Sequence, residues 1–239
     1  FEIRRAVESR FPGGSILEGD YAQLEFRVAG FLAKDDGIRM DVEAGTDVHN
    51  YTASIIGCSR QDAKAHTFKP LYGGVSGTEA QQRYYRAFKE KYEGVTRWHE
   101  QLQKDAVTKK HIRLPSGRQY AFPGAKWTKY GTATFRTNIC NYPVQGFATA
   151  DLLPIALVKL DSEIRRRKLR SVICNTVHDS IVMDVYPGEE KYCIEVMSEA
   201  MLSIPQETKR RYGITYDMPV GIELKLGKNW LDLQEVFTV

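Results

Sequence analysis

Residues 15–27, Ser15-Ile16-Leu17-Glu18-Gly19-Asp20-Tyr21-Ala22-Gln23-Leu24-Glu25-Phe26-Arg27, hold a short apolar run, an acid at its end, and a second acid five positions later. Pro12-Gly13-Gly14 bounds the run upstream, which suits a strand entering a sheet. Leu24, Val28 and Phe31 then recur at helical spacing up to Leu32, so a helix follows. Asp20 therefore stands where a strand hands over to a helix. A second segment has the same grammar: Ser171 to Tyr186 is two apolar runs separated by His178-Asp179, which reads as a hairpin with an acid at its tip.

The rest of the chain places helices between and after these segments. A loop marked by Gly37 leads to a helix over 47–56, closed by Gly57. Ser59 and Asp62 offer an N-cap for another, running through Lys64 to about Tyr72 and stopped by Gly73-Gly74. Polar helices follow over 78–92 and 95–109, then an alternating stretch from Ile112 to Phe122 that carries Pro115-Ser116-Gly117, a hairpin signal. A helix from about Gln145 to Arg167, a helix from Glu189 to about Leu202 and a final strand from Val220 complete the pattern. The fold class is α+β, with antiparallel strands gathered around the two acid-bearing segments.

Composition bounds what such a chain does. With 239 residues, 42% of them hydrophobic, it can bury a core in one large domain or two small ones. A net charge of +4 permits nucleic-acid binding without demonstrating it. The four cysteines form no C-x-x-C pair, so a zinc site is not indicated and a reduced, intracellular chain is the plain reading. No apolar run is long enough for a membrane span and the N-terminus has no signal-peptide pattern, so neither a membrane nor secretion is expected.

Asp20 and Asp179 lie 159 residues apart, yet each ends an apolar strand beside a turn. A sheet that pairs the two strands brings both acids to one edge. Adjacent carboxylates repel, and a divalent cation neutralises them; hard oxygen donors with open positions suit Mg²⁺ and its phosphates. Two metals about 3.5–4 Å apart are the apparatus of phosphoryl transfer. The plain alternative is that Asp20 caps the helix and Asp179 forms a turn.

The surrounding residues carry a resemblance. Asp20-Tyr-Ala-Gln-Leu-Glu-Phe-Arg27 resembles motif A of the family A DNA polymerases, D-Y-S-Q-I-E-L-R. Val177-His-Asp-Ser180 resembles motif C, and Arg60-Gln-Asp-Ala-Lys-Ala-His-Thr-Phe-Lys-Pro-Leu-Tyr-Gly73 fills every named position of motif B, R-x-x-x-K-x-x-x-F-x-x-x-Y-G. Asn141-Tyr-Pro-Val-Gln-Gly146 looks like the family's N-x-P-x-Q-G stretch, and Gly227-Lys-Asn-Trp230 like its G-x-N-W close, so the likeness covers nearly the whole chain. Motif B also has a physical reading. Arg60, Lys64, Phe68 and Tyr72 recur every four residues, so on one helix they form a stripe with two cations at one end and two aromatics at the other. The cations suit a triphosphate and the aromatics a sugar and base; alternatively Phe68 and Tyr72 are core and the cations are solvated.

What the resemblance implies is an antiparallel palm sheet carrying the catalytic acids, with an inserted helical fingers subdomain: palm over residues 1–46 and 111–239, fingers over 47–110. It implies a DNA-directed DNA polymerase adding dNTPs to a primer 3′-hydroxyl, with Asp20, Asp179 and the Tyr21 carbonyl binding two Mg²⁺ ions. Lys64 and Arg60 would contact the triphosphate, Lys64 also as proton donor to pyrophosphate, and His49 falls where the family has a phosphate-contacting histidine, or is a plain helix-surface residue. Phe68 would sense the sugar, and Glu25 with Tyr72 would close the space of a ribose 2′-hydroxyl. Asn141, Gln145 and His178 would face the primer terminus and minor groove, where N3 and O2 acceptors report pairing without reading sequence. The basic run Arg165 to Lys168 is either a solvated helix end or a contact to template phosphates.

Departures from the family pattern are specific. Ser180 stands where motif C usually has a second acid, and Arg136 lies one position before the usual arginine site, which Thr137 occupies. Short segments around motif B point to a phage or viral relative acting in the host-cell cytoplasm. Only nineteen residues precede Asp20, so the chain reads as palm and fingers of a longer enzyme whose thumb, usual 3′→5′ exonuclease and any processivity factor lie elsewhere. The competing readings are a single-subunit RNA polymerase, against which Glu25 argues, a nucleic-acid-binding fragment without catalysis, and a purely structural domain.

Overall fold

The computed structural model describes residues 2–74 and 76–239. In chain order the elements are β1 (Ser15–Tyr21), α1 (Leu24–Ala33), α2 (Asp36–Glu43), α3 (Val48–Ile56), α4 (Arg60–Thr67), α5 (Glu79–Lys91), α6 (Glu93–Thr108), β2 (His111–Arg113), β3 (Gln119–Ala121) and α7 (Arg136–Gln145). They continue through α8 (Leu153–Arg167), β4 (Val172–Val177), β5 (Ser180–Val185), α9 (Glu190–Leu202), α10 (Ile204–Tyr212), β6 (Ile222–Gly227) and β7 (Leu233–Thr238). This is the α+β class expected. The residues fall into two compact units: one comprises 1–24, 148–216 and 220–239, the other 25–147 and 217–219. These bounds do not coincide with divisions at 46/47 and 110/111.

The first unit is built on a five-stranded antiparallel sheet in the order β4-β5-β1-β6-β7. β1 is its centre, flanked by β5 and β6, and its neighbours come from the far end of the chain. Residues alternate across a strand, so Leu17, Gly19 and Tyr21 face one side and Glu18 and Asp20 the other. On the first side α9 packs against β1, its Met197 and Met201 lying over Gly19 with Leu224 from β6. The Tyr21 hydroxyl donates to the Met201 carbonyl at 3.0 Å and anchors the helix to the strand end.

The second unit is mainly helical. Leu102, Ala106, Ile112, Phe122, Ala125, Ala133 and Ile139 form one apolar cluster that joins α6, the β2–β3 hairpin and α7. Asp35 is buried, and its carboxylate accepts the Ile38 amide at 2.8 Å and the Val95 amide at 3.0 Å, capping α2 and holding the start of α6 with one side chain.

Four elements depart from their sequence reading. Gly37 is in the first turn of α2 and not in a loop; a Cβ there would meet the Lys91 carbonyl at 2.7 Å, so this glycine serves a close approach between helices. α4 ends at Thr67, and Pro70–Tyr72 is a separate 3₁₀ turn, so Phe68 and Tyr72 do not continue a helical stripe from Arg60 and Lys64. Pro70 has no N–H to give the His66 carbonyl, which instead accepts from Lys69 at 3.1 Å in a tighter turn. The helix placed from Gln145 begins at Arg136 and passes through a π-helical stretch, Gly146–Leu152, before α8; Pro143 sits inside it. The strand at 220 is not the last, because β7 pairs with β6 as a largely exposed edge, and α10 lies between α9 and β6.

Gly19 sits between the two acids of β1 with its open side filled by methionine sulfur, so Gly19→Val overpacks the interface of α9 and β1. A loss of about 1–3 kcal/mol is expected in urea unfolding, with the slope unchanged.

Candidate active site

β1 and β5 pair so that Asp20 stands opposite Ser180, and β1 and β6 so that Asp20 stands opposite Glu223. Glu18 is opposite Val182 on one side and Lys225 on the other. Asp179 is in the two-residue turn between β4 and β5, one position from Ser180. The register therefore brings the two sequence-predicted acids to one end of the sheet. There Asp20, Asp179, Glu18, Glu223, Lys225 and Arg4 are among the residues lining a cleft of about 320 Å³. His178, at the first turn position, has φ of +55°, a left-handed conformation that ordinarily goes to glycine in such a turn.

The electrostatics of the cleft are those of crowded acids. The Asp20 carboxyl is pushed up to about 6 from an ordinary 3.8, first by loss of hydration, then by the charges of Asp179 and Glu18; Lys225 opposes the shift. Asp179 is also raised, first by burial, against the pull of its own backbone amide and of His178. Lys225 donates to Glu223 at 2.6 Å, and this bond holds the ammonium above its usual range. Trp230 Nε1 donates to Glu18 at 2.8 Å, and the Arg4 guanidinium lies 4.4 Å over the Trp230 ring.

The fit to a divalent cation is one of donor chemistry. Asp20 and Asp179 offer hard anionic oxygens in a partly dehydrated site where their ionised forms disfavour each other. Among the described residues no group of three or more His, Cys, Asp and Glu side chains is gathered to hold a metal ion alone. Such a site is the kind completed by carbonyls, water and substrate oxygens, as magnesium sites are.

The second unit gathers other sequence-predicted residues around α3 and α4. Asp47 caps α3 by accepting the His49 and Asn50 amides at 3.0 and 3.1 Å, and it holds Arg60 Nε at 2.6 Å. His49 Nδ1 lies 3.0 Å from the Thr67 hydroxyl, and its ring meets Phe68 edge-on at 5.4 Å. Burial, then the charge of Arg60, lowers the His49 pKa, and Lys64 acts in the same direction. Arg60 and Lys64 are exposed, whereas Phe68 and Tyr72 are half-buried, Phe68 against Phe26 at 5.8 Å. Glu25 is half-buried in the first turn of α1. Asn141 and Gln145 sit one turn apart on α7. Gly146 has a local reason: a Cβ would overlap the Tyr120 hydroxyl.

A family model for "DNA polymerase family A" matches residues 1–232. The chain belongs to that family. Among relatives of this family A chain, DNA polymerase I of Pseudomonas aeruginosa is 30% identical over 91% of this chain and 25% of its own length. DNA polymerase I of Lactococcus lactis subsp. lactis is 28% identical over 91% of this chain and 26% of its own length, and that of Aquifex aeolicus 26% identical over 95% and 41%. The chain thus spans about a quarter of the length of the first two. In three dimensions it is similar to the POL domain of Pol1 from M. smegmatis in complex with DNA primer-template and dNTP, with a TM-score of 0.76, 23% identity, and coverage of 95% of this chain and 42% of that one. The fold is therefore shared with part of that POL domain.

Sequence reasoning on this family A chain missed Glu18, Glu223, Lys225 and Arg4. Glu223 and Lys225 alternate with buried Ile222 and Leu224, which marks them as open-face residues of a strand. That alternation does not say which strand lies beside theirs.

Asp20→Asn removes one of the repelling charges. Because the folded pKa, about 6, lies above the ordinary 3.8, this group's contribution to stability falls as pH rises through that window, and the penalty is complete above it. Asp20→Asn is thus expected to raise the Tm in EDTA at about pH 8 and to lose that gain near pH 4, by differential scanning calorimetry.

Proposed function

We propose that this chain is the palm and fingers part of a DNA-directed DNA polymerase, adding dNTPs to the 3′-hydroxyl of a primer on a DNA template. The observation that carries the reading is the pairing of β1 with β5, which joins Asp20 and the Asp179 turn in one cleft of a chain that matches the family over 1–232. Residues 1–46 and 111–239 would be palm and 47–110 fingers, the latter inside the compact unit 25–147.

Family A polymerases use divalent metal ions, and here two Mg²⁺ would be held by Asp20, Asp179 and the Tyr21 carbonyl. Bound there, the ions supply charge stabilisation to the attacking and leaving oxygens. The chain's residues do the rest. The primer 3′-oxygen forms a bond to the α-phosphorus and gives its proton to solvent water, while the bond from that phosphorus to the bridging oxygen of pyrophosphate breaks. Arg60 and Lys64, exposed on one short helix beside His49, hold the triphosphate, and Lys64 gives a proton to the departing pyrophosphate. This reading needs no continuous stripe: α4 carries the cations, and Phe68 and Tyr72, in the segment that follows it, would meet the sugar. Asp47, by gripping Arg60, limits where that guanidinium reaches. Glu25 and Tyr72 exclude a 2′-hydroxyl, and Asn141, Gln145 and His178 face the primer terminus and the minor groove. Ser180 leaves the acids of motif A and motif C as the two essential carboxylates.

In single-nucleotide primer extension, Asp179→Ala is expected to reduce incorporation by at least about a hundredfold while leaving primer-template binding intact. Mg²⁺ should raise the Tm of the native chain and not that of Asp179→Ala, since a ligand stabilises only the state that binds it. Retained incorporation together with retained Mg²⁺ stabilisation would overturn the assignment. Glu25→Ala is expected to admit ribonucleotides, read as the ratio of kcat/KM for dNTP and NTP; an unchanged ratio would remove Glu25 from the sugar gate.

A further inference from the structure

Asp20 has two neighbours across the sheet, and they are chemically unlike. On β5 it faces Ser180, which is buried and whose hydroxyl donates to the Val177 carbonyl at 3.0 Å. On β6 it faces Glu223. Ile222 and Leu224 are buried, so the alternation of the strand turns Glu223 and Lys225 to the open face, with Glu18 and Asp20. Position 180 is neutral, and the sheet carries its third carboxylate on the flank of Asp20 away from the Asp179 turn. Like charges directly opposite each other destabilise an antiparallel pair.

Lys225 answers that repulsion. Its ammonium donates to Glu223 at 2.6 Å, although the residue directly opposite it on β1 is Glu18. Glu18 is already satisfied, because the Trp230 indole donates to it at 2.8 Å. Trp230 is fixed in turn: its backbone N–H donates to the Val7 carbonyl at 3.0 Å, and the Arg4 guanidinium covers its ring at 4.4 Å. These contacts leave Lys225 to Glu223. The two side chains are 38% and 34% exposed, and an ion pair so open to water adds little to stability. Its effect falls on the cleft instead.

Glu18, Asp20, Asp179 and Glu223 all line that cleft, with Lys225 and Arg4 as its Lys and Arg cations. With Glu18 on the indole and Glu223 on the ammonium, the carboxylates left to an ion are Asp20 and Asp179. The number of open carboxylates decides which ion fits. Mg²⁺ is small, keeps several waters and is held through few carboxylates together with substrate phosphates. Ca²⁺ is larger, takes about six to eight oxygens and gains more from an added carboxylate.

We propose that Lys225 withholds Glu223 from the cation site and thereby keeps the cleft selective for Mg²⁺ over Ca²⁺. Lys225 acts through Glu223 and is a positioning residue. Freed of its ammonium, the Glu223 carboxylate turns toward Asp20 and becomes a third anionic donor, which suits the larger ion. The proposal rests on the assignment of Asp20 and Asp179 to the metal, and it concerns cation binding alone. It is therefore testable without nucleotide or DNA.

The experiment uses electron paramagnetic resonance to measure the Mn²⁺ left free beside the 239-residue chain, then the displacement of bound Mn²⁺ by Mg²⁺ or by Ca²⁺. Native protein should bind Mn²⁺, and Asp179→Ala should release it. Lys225→Met keeps the length of the side chain and loses its charge. It should tighten Ca²⁺ by about tenfold and Mg²⁺ by less, so that the ratio of Ca²⁺ to Mg²⁺ affinity rises about threefold or more. Lys225→Gln should do the same, and Lys225→Arg should keep the native ratio. In Lys225→Met/Glu223→Gln the released acid is gone, and the ratio should return to that of the native chain. A cooperative thermal transition in EDTA identifies the folded variants. A ratio unchanged in both neutral variants, or a raised ratio that persists in the double variant, overturns the proposal and leaves the polymerase reading standing. If neither the native chain nor Lys225→Met takes up Mn²⁺, the assignment of the acids to metal falls together with it.

Discussion

Everything in the candidate active site depends on the antiparallel pairing of β1 with β5 and β6. The strands come from positions 15–21, 180–185 and 222–227, so the register links residues about as far apart as the chain allows. A one-residue slip in β1 would turn Glu18 and Asp20 into the side covered by α9 and expose Leu17 and Tyr21. Burial of Leu17 and Tyr21, with Gly19 closed over by methionines, makes that slip expensive. The packing of the apolar face thus fixes where the carboxylates point.

The two faces of this sheet show opposed demands. The covered face is apolar, and the Tyr21 hydroxyl finds a carbonyl there. The open face gathers Glu18, Asp20, Glu223 and Asp179 around a cleft with Lys225 and Arg4. The chain moderates the repulsion locally: Lys225 neutralises Glu223, and the Trp230 indole satisfies Glu18. Asp20 and Asp179 receive less relief, and their pKa values rise. Unequal treatment of four acids in one cleft is informative. Glu18 and Glu223 have partners within the sheet's open face, and Asp20 and Asp179 are the two whose carboxyls are raised.

How much was legible follows from the range of each signal. The strand-to-helix change at Asp20, the hairpin tip at His178-Asp179, and the caps at Asp47, Gly57, Ser59 and Thr78 are local patterns, and the structure has them. Glycine and proline misled where their role is tertiary. Gly37 lies inside α2 because α5 passes close to it, and Pro143 lies inside a helix whose next turns relax to π geometry. Pro70 misled in the other direction: the four-residue period of motif B continues through it, and the helix does not. Glu18, Glu223 and Lys225 were beyond reach because their juxtaposition is a product of register.

His178 and Phe135 share a property that neither composition nor periodicity conveys. Both are non-glycine residues at positive φ, one at the tip that carries Asp179 and the other just before α7. Glycine at either place would be easier for the backbone by on the order of 1 kcal/mol. In each case the side chain is exposed rather than part of the core. At the tip, the imidazole stands next to the acid whose ionisation it favours. At α7, the Phe135 ring lies beside Gly124. Stability comes instead from the buried seams, α9 on β1 in one unit and the α6–α7 cluster in the other.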